Sequence, residues 1–303
     1  MMRKNAHDIL ARGLTRRAFI ATTAAAAAFA PSVLRRGEAD TGTPFADRVV
    51  KNGRLKQSVS RWPYNKIPFP EFCRAVADMG LTAIDLLEEA EWAVAREHGL
   101  TCSMGYAGGG SIRDGLNVTA NHDAIVRNFT ETIPRAAKMQ VPNVITFFGN
   151  RRGMSDETAI ANRVAGLNRV KKIAEDHGVT ICIELLNSKV NHADYQGDRT
   201  PFGAAIVKAV GSPRVKLLYD IYHMQIMEGD LIKTIRDHHD AIAHYHTGGV
   251  PGRHELDDTQ EVNWPAVCRA IVDTGFTGYL AHEFVPTRDP LTSLREAVAL
   301  CDV

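Results

Sequence analysis

The chain has 303 residues, of which 45% are hydrophobic, so it is long and apolar enough to bury a large core. Its formal net charge is +1, without the strongly basic balance that nucleic-acid-binding proteins normally need. The composition therefore excludes an intrinsically disordered chain and argues against a nucleic-acid partner.

The first 39 residues have the pattern of a twin-arginine export signal. Thr15–Ile20 contains two adjacent arginines, and an Ala-rich run follows through Ala30. Small residues at Gly37 and Ala39 suit cleavage, so we expect a periplasmic or exported mature chain, for which Asp40 is a plausible start. Removing this segment takes away seven Lys/Arg and two Asp/Glu, which leaves 29 basic and 33 acidic residues. A membrane anchor is the alternative, but the run is short for a transmembrane helix, and no stable membrane insertion is expected after processing.

Beyond the signal, short runs rich in β-branched residues alternate with longer amphipathic segments. The predicted strands are Leu55–Ser58, Ala83–Leu87, Thr101–Met104, Asn143–Phe147, Val179–Glu184, Val215–Asp220, Ile242–Thr247 and Gly278–Phe284. The predicted helices are Phe69–Met79, Glu89–His98, Ala120–Met139, Asp156–His177, Phe202–Val210, Asp230–His238, Trp264–Thr274 and Pro290–Cys301. Eight such units over about 250 residues predict an α/β fold, a single-domain (β/α)8 TIM barrel within residues 40–303. A doubly wound open sheet is the alternative, but no GxGxxG motif follows the first strand.

The last four predicted strands each end in a side chain that can bind a metal ion. These side chains are Glu184, Asp220, His246 and Glu283. Barrel enzymes place their sites at the C-terminal ends of the strands, so we expect the four to converge. Three carboxylates in close contact raise one another's pKa unless a cation offsets their charge. The sequence therefore predicts one divalent metal ion, and a set of three oxygens and one nitrogen suits Mn²⁺, Mg²⁺, Co²⁺ or Zn²⁺.

Three motifs make the chain resemble the hydroxypyruvate isomerase family, within the wider xylose-isomerase-like barrels. They are IELLN, which contains Glu184, DIYHMQIMEGD, which starts at Asp220, and HxHxxxVPGRHE, which contains His246. The resemblance implies that Glu184, Asp220, His246 and Glu283 bind the metal. It also implies that the two glutamates form the acid/base pair, and that the positions of His223 and Arg253 contact the substrate. Members of the resembling families are often dimers or tetramers, so a homo-oligomer is possible.

Two departures from the family pattern leave the substrate open. Hydroxypyruvate isomerases carry Gln at the position of His246, whereas the related ketose 3-epimerases carry His. The 3-epimerases usually place an acidic residue a few positions after the glutamate that matches Glu184. The loop from Asn187 to Arg199 lacks it, and Lys189 and Val190 occupy that region. The resemblance thus implies an isomerase of hydroxypyruvate and tartronate semialdehyde, with a ketose 3-epimerase or another sugar isomerase as the alternative.

The chemistry of such a reaction agrees with the residues. Moving a carbonyl between adjacent carbons requires removal of the proton beside it, and a divalent metal stabilises the resulting enediolate. One glutamate can take the proton and the other can return it. His223 is placed to hydrogen-bond a substrate oxygen, and Arg253 can pair with a substrate carboxylate. The alternative for Arg253 is a loop-fixing salt bridge with Glu255 or Asp257.

Other residues carry weaker expectations. The five cysteines are expected to be buried apolar residues, since none lies in a CxxC pair. His244 is expected to be a satisfied structural histidine, Trp62 to wall the pocket or pack in the core, and Gly108–Gly110 to form a mobile loop. Phosphodiester cleavage, as in endonuclease-IV-like barrels, and a non-catalytic binding protein also stay open as functions.

Overall fold

The computed structural model describes residues 48–303, and eight parallel strands form a closed barrel in these residues. The strands are β1 Lys56–Ser60, β2 Ala83–Leu87, β3 Thr101–Gly109, β4 Asn143–Phe147, β5 Thr180–Leu185, β6 Val215–Asp220, β7 Ile242–Thr247 and β8 Tyr279–His282. Each strand pairs with the next along the chain, and β8 pairs with β1. The predicted TIM barrel is confirmed, and the open-sheet alternative is wrong. The predicted signal segment lies outside the described residues.

Ten α-helices in the described part of the chain cover the outside of the barrel. They are α1 Phe69–Met79, α2 Glu89–Glu97, α3 His122–Lys138, α4 Asp156–Asn168, α5 Lys171–His177, α6 Thr200–Val210, α7 Ile221–Met227, α8 Leu231–His238, α9 Trp264–Asp273 and α10 Pro290–Cys301. Two apolar layers form the core. A large layer lies between strands and helices, and a small inner layer contains Leu86, Met104, Ile145, Cys182 and Leu218. Both faces of the strands are thus buried, which explains their nearly continuous apolar sequences.

Glycine ends several of the helices. Gly178 after α5 and Gly211 after α6 have φ values of 68° and 65°, a left-handed conformation that suits glycine because it has no Cβ. Within residues 48–303, no helix has the length and apolar character needed to cross a membrane. All five cysteines are buried, as expected.

The structure corrects three local predictions. The expected helix Asp156–His177 is divided between α4 and α5, where Gly166 and Asn168 weaken the last turn of α4. The expected loop at Gly108–Gly110 is partly strand, since β3 continues to Gly109. A Cβ on Gly109 would lie 2.5 Å from the Ile145 carbonyl oxygen, so close contact with β4 requires glycine there.

The third correction concerns the segment after β6, which forms the short helix α7. Asp220 is its N-cap, and the carboxylate accepts a hydrogen bond from the His223 backbone N–H at 3.0 Å. His223 therefore lies in the first turn of a helix that was not among the predicted ones. One carboxylate oxygen of Asp220 is held by the helix, and the other faces the barrel mouth.

Candidate metal centre

The four predicted ligands come together at the C-terminal ends of the strands. Glu184 lies in β5, Asp220 ends β6, His246 lies in β7 and Glu283 follows β8. One ligand atom from each lies within 4.8 Å of the others, and all four side chains are buried. The Nδ1 atom of His246 lies 2.6 Å from Glu283 Oε2, 3.4 Å from Glu184 Oε1 and 4.0 Å from Asp220 Oδ2. The convergence predicted from the four strand ends is confirmed.

The buried acids strongly perturb one another. Burial raises the pKa of Glu184 to about 7, and burial also raises the pKa of Asp220 to about 6. Burial would raise the pKa of Glu283 as well, but Arg253 and His246 outweigh it and hold this pKa well below its usual range. Burial lowers the pKa of His246, but Glu283 and Asp85 outweigh it and raise the pKa well above its usual value. The negative charge of the three acids thus strongly stabilises a positively charged group that lies between them.

These residues fit a divalent metal ion. The Nδ1 atom of His246 is completely buried and makes no well-aligned hydrogen bond within the described residues, although three carboxylates surround it. Three carboxylates and one imidazole form a donor set that Mn²⁺, Mg²⁺, Co²⁺ and Zn²⁺ all accept. An ion here would offset the like charges that burial otherwise makes costly.

Arg253 lies directly beside the four residues. Its Nη2 atom lies 2.5 Å from Glu283 Oε2 and 3.1 Å from Asp220 Oδ2. The guanidinium lies between two aromatic rings, 5.6 Å from the centre of Trp62 and 5.4 Å from that of Tyr222. Trp62 is 38% exposed at the barrel rim, and its indole N–H donates to Glu283 Oε1 at 2.6 Å. Trp62 therefore lines the site, as one of its two predicted roles required.

The predicted alternative for Arg253, a salt bridge with Glu255 or Asp257, is wrong. Arg288 pairs with both acids instead, at 3.8 Å from Glu255 and 3.1 Å from Asp257. The carboxylate of Glu255 also accepts hydrogen bonds from the backbone N–H and the hydroxyl of Thr287 at 2.8 Å and 2.9 Å. Glu255 thus fixes the loop after β8, and Arg253 pairs with Asp220 and Glu283 instead.

Replacing Glu255 with Gln is expected to lower the free energy of unfolding at pH 7 by about 2–3 kcal/mol. Burial raises the pKa of Glu255, but hydrogen bonds from backbone amides and from Thr287 outweigh it and lower the pKa from 4.5 to about 2. Since the folded-state pKa is depressed, this stabilisation is complete above about pH 4.5 and is lost as the pH falls through about 2. Denaturant titrations of both proteins between pH 7 and pH 2 should show the difference shrinking. A difference that is constant over this range would contradict the prediction.

The buried ring of His223 lies beside Asp220 and the loop after β5. Its Nδ1 atom accepts a hydrogen bond from the Asn187 backbone N–H at 3.0 Å. Its Nε2 atom lies 3.7 Å from Asp220 Oδ2 and has no hydrogen-bond partner among residues 48–303. Because a backbone amide can only donate, Nδ1 must be the acceptor, and the ring proton is on Nε2. Burial lowers the pKa of His223 well below its usual value, so the ring is neutral.

The sequence profile described as xylose isomerase-like TIM barrel matches residues 73–302. The chain belongs to this family. It is 30% identical to a 2-oxo-tetronate isomerase of Cupriavidus necator over 74% of the chain and 89% of the relative. It is 27% identical to a human protein assigned by inference as a hydroxypyruvate isomerase, over 74% of the chain and 87% of the relative. A D-psicose 3-epimerase of Agrobacterium fabrum is 34% identical over 42% of the chain and 43% of that protein. This xylose isomerase-like barrel is therefore an enzyme of the isomerase and epimerase type.

The sequence interpretation missed Asp85 in β2 of this xylose isomerase-like barrel. Its carboxylate is completely buried inside the barrel, and Oδ2 lies 2.8 Å from His246 Nε2. One signal was available, because Asp85 is a charged residue in the otherwise apolar strand AIDLL. The predicted strand ends did not include it, since it lies inside β2 rather than at its end.

The other histidines have distinct positions. His244 faces the same side of β7 as His246, with ring centres 5.2 Å apart, and its Nε2 lies 3.1 Å from Asp85 Oδ1. It is buried as expected, but neither ring nitrogen makes a well-aligned hydrogen bond within the described residues, so the predicted satisfied histidine is not seen. His192, in the loop after β5, has its ring centre 5.3 Å from that of His223, so it lies beside the candidate metal centre.

Proposed function

We propose that this protein is a divalent-metal-dependent isomerase of a small hydroxy-carbonyl compound, of the hydroxypyruvate and tartronate semialdehyde type. The observation that carries the proposal is the buried cluster of Glu184, Asp220, His246 and Glu283, within 4.8 Å of one another at the barrel mouth. The relatives named as isomerases of hydroxypyruvate and 2-oxo-tetronate support the same substrate class, an α-hydroxy-carbonyl acid.

The four clustered residues would hold the ion, and each glutamate has a second role. A bound divalent ion supplies Lewis-acid stabilisation of the negative charge that develops when the proton beside the carbonyl is removed. Glu184 lies in β5 and Glu283 follows β8, and these strands are not neighbours in the barrel, so the two carboxyl groups approach the substrate from different directions. One carboxylate takes the proton and the other carboxyl returns it at the adjacent carbon. Trp62 orients Glu283 through the indole hydrogen bond.

His223 and Arg253 fit two different parts of an acidic substrate. The unpartnered Nε2–H of His223 is a donor beside the cluster, which suits a carbonyl or hydroxyl oxygen. The guanidinium of Arg253, held between Trp62 and Tyr222, can turn its remaining N–H groups to a substrate carboxylate. A carboxylate partner is the feature that separates hydroxypyruvate from a neutral sugar.

One observation favours a second function, a ketose 3-epimerase or another isomerase of a sugar or keto-sugar. His246 is the residue found in the 3-epimerases, and its Nδ1 atom faces the three acids. Partial similarity to a D-psicose 3-epimerase agrees with this alternative. Export by the twin-arginine signal, if it operates on residues 1–39, would also place the enzyme among extracellular sugars.

Deuterium exchange separates the two functions. We expect the purified protein with Mn²⁺ in D₂O to interconvert hydroxypyruvate and tartronate semialdehyde and to introduce deuterium beside the carbonyl. The same assay should be run with 2-oxo-tetronate, D-fructose and D-psicose, and with metal-loaded Glu283→Gln as the blank. Exchange into the ketohexoses alone would replace the leading proposal by the epimerase, and exchange into none would overturn both.

An arginine variant tests the acid-binding role within the same experiment. Arg253→Gln should raise KM for an acid substrate by about tenfold to a hundredfold, the loss of a charge-assisted hydrogen-bonded pair. The ratio of KM values for an acid and a neutral substrate corrects for any general disturbance of the neighbouring acids. An equal rise in KM for both would show that Arg253 does not bind a carboxylate.

A further inference from the structure

Asp85 is a buried carboxylate inside the barrel that contacts His246 of the candidate metal centre. It belongs to β2, whereas the four clustered residues belong to the second half of the barrel. The side chain is 0% exposed, and its Oδ2 atom accepts a hydrogen bond from His246 Nε2 at 2.8 Å. Asp85 and His246 are 161 positions apart in the chain, so barrel closure alone creates the contact.

The other carboxylate oxygen of Asp85 contacts residues of β3 and β7. Ser103 in β3 donates its hydroxyl to Asp85 Oδ1 at 2.5 Å, and Ser58 Oγ in β1 lies 3.0 Å from Ser103 Oγ. His244 Nε2 lies 3.1 Å from the same carboxylate oxygen. Both carboxylate oxygens of Asp85 therefore have partners, and all of these partners lie inside the barrel.

The two nitrogens of His246 face two different groups. Nδ1 faces Glu184, Asp220 and Glu283, and Nε2 faces Asp85. A neutral imidazole has one N–H and one lone pair, and a carboxylate can only accept. With the proton on Nε2 and donated to Asp85, the lone pair is on Nδ1, where a metal ion would need it.

We propose that Asp85 is a positioning residue that fixes the tautomer and the ring orientation of His246 for metal binding. This inference rests on the proposed function, because it requires that the cluster binds a divalent ion. The negative charge of Asp85 also makes the imidazole a stronger ligand through the shared proton. Ser103 supports this role indirectly, because its hydroxyl bonds Asp85. Among the described hydrogen bonds, Ser103 makes none to the four clustered residues.

A second metal ion is the competing explanation for the same residues. Asp85, His244 and His246 also lie within 4.8 Å of one another. An ion between them would use Nε2 of His246, so this imidazole would have to lose both protons to serve two ions. The contacts of 2.8 Å and 2.5 Å at Asp85 are those of ordinary hydrogen bonds that share one proton each. The hydrogen-bonded arrangement is therefore the one we infer.

The decisive variant is Asp85→Asn, which keeps the size of the side chain and removes its charge. We expect its dissociation constant for Mn²⁺ to rise about tenfold to a hundredfold, as for other residues that orient metal-binding histidines. Ile84→Val is the matched control, because Ile84 is an equally buried neighbour in β2 that packs in the outer layer. Ile84→Val should bind Mn²⁺ like the wild type, although it also perturbs β2.

The outcomes separate this inference from the proposed function. A wild type that takes up no Mn²⁺ overturns both. A wild type that binds one ion, with a folded Asp85→Asn variant of equal affinity, overturns only the role of Asp85. Two ions per chain in the wild type also overturn it, in favour of the second metal site.

One measurement does not depend on the folding of the variant. In the Zn²⁺-loaded wild type, long-range proton–nitrogen NMR correlations report which nitrogen of each histidine carries the proton. We expect His246 to be protonated at Nε2 and bare at Nδ1. A proton on Nδ1, or on neither nitrogen, would contradict the assigned role.

Discussion

Replacing Glu283 with Gln is expected to lower kcat by about a thousandfold or more, close to complete loss of turnover. The amide keeps the size of the side chain and can still accept the hydrogen bond from Trp62 at 2.6 Å. It cannot take or return a proton, and general acid–base catalysis alone contributes about 10²–10⁴-fold. It is also a weaker metal ligand than the carboxylate. The measurement is deuterium exchange and product formation by the Mn²⁺-loaded variant.

A matched control distinguishes lost chemistry from lost structure. Glu261→Gln changes an exposed glutamate that bonds Gln225 at 3.0 Å, away from the cluster, and should leave kcat unchanged. Glu283→Gln removes one partner of the buried ion pair with Arg253, so its Tm should fall. A thermal transition that stays cooperative would show that the variant still folds. If the folded variant kept a tenth or more of the wild-type rate, the roles given to Glu283 would be wrong.

Removing divalent metal with a chelator should abolish exchange and lower Tm. The acids of the cluster lie within 4.8 Å of one another, so their repulsion is relieved by the bound ion in the folded state. At a Mn²⁺ concentration of about 100 times Kd, binding stabilises the fold by about 2.7 kcal/mol. For a chain of this size this corresponds to a rise in Tm of roughly 5–10 °C. Both activity and Tm should return when Mn²⁺ is added back.

The Asp220→Asn variant tests whether this stabilisation comes from the proposed ion. Asp220 is a ligand and an N-cap, and Asn can still cap α7 through its side-chain oxygen. The variant should therefore fold, but its Tm should no longer respond to Mn²⁺. Equal Tm values for the wild type with chelator and with Mn²⁺ would contradict the metal assignment.

The parts of the fold that were predictable from the sequence depend on local patterns. The bounds of β2, β4, β6 and β7 agree with prediction because these strands are short runs rich in apolar side chains. The convergence of the four ligands was predictable for the same reason. Parallel strands of one barrel put their C-terminal ends at one rim, so each strand end predicts a position in space.

The features that were not predictable depend on contacts between distant residues. Asp85 meets His246 only through barrel closure, and no local pattern in AIDLL names its partner. Arg253 was expected to contact the substrate, and a salt bridge with its near neighbour Glu255 or Asp257 was the alternative. The loop after β8 brings Thr287 and Arg288 to Glu255 instead, and Arg253 turns to Asp220. Sequence proximity is a poor guide to ion pairs in loops, where the chain reverses within a few residues.

The position of the four ligands on β5 to β8 has a consequence for the evolution of such enzymes. The four ligands all come from the second half of the barrel, and the loops after β1, β3 and β4 carry none of them. Mutation can reshape the loops after β3 and β4 without replacing a ligand, whereas Trp62 in the loop after β1 bonds Glu283. New substrates can thus be acquired by remodelling one half of the rim while the other half is inherited intact.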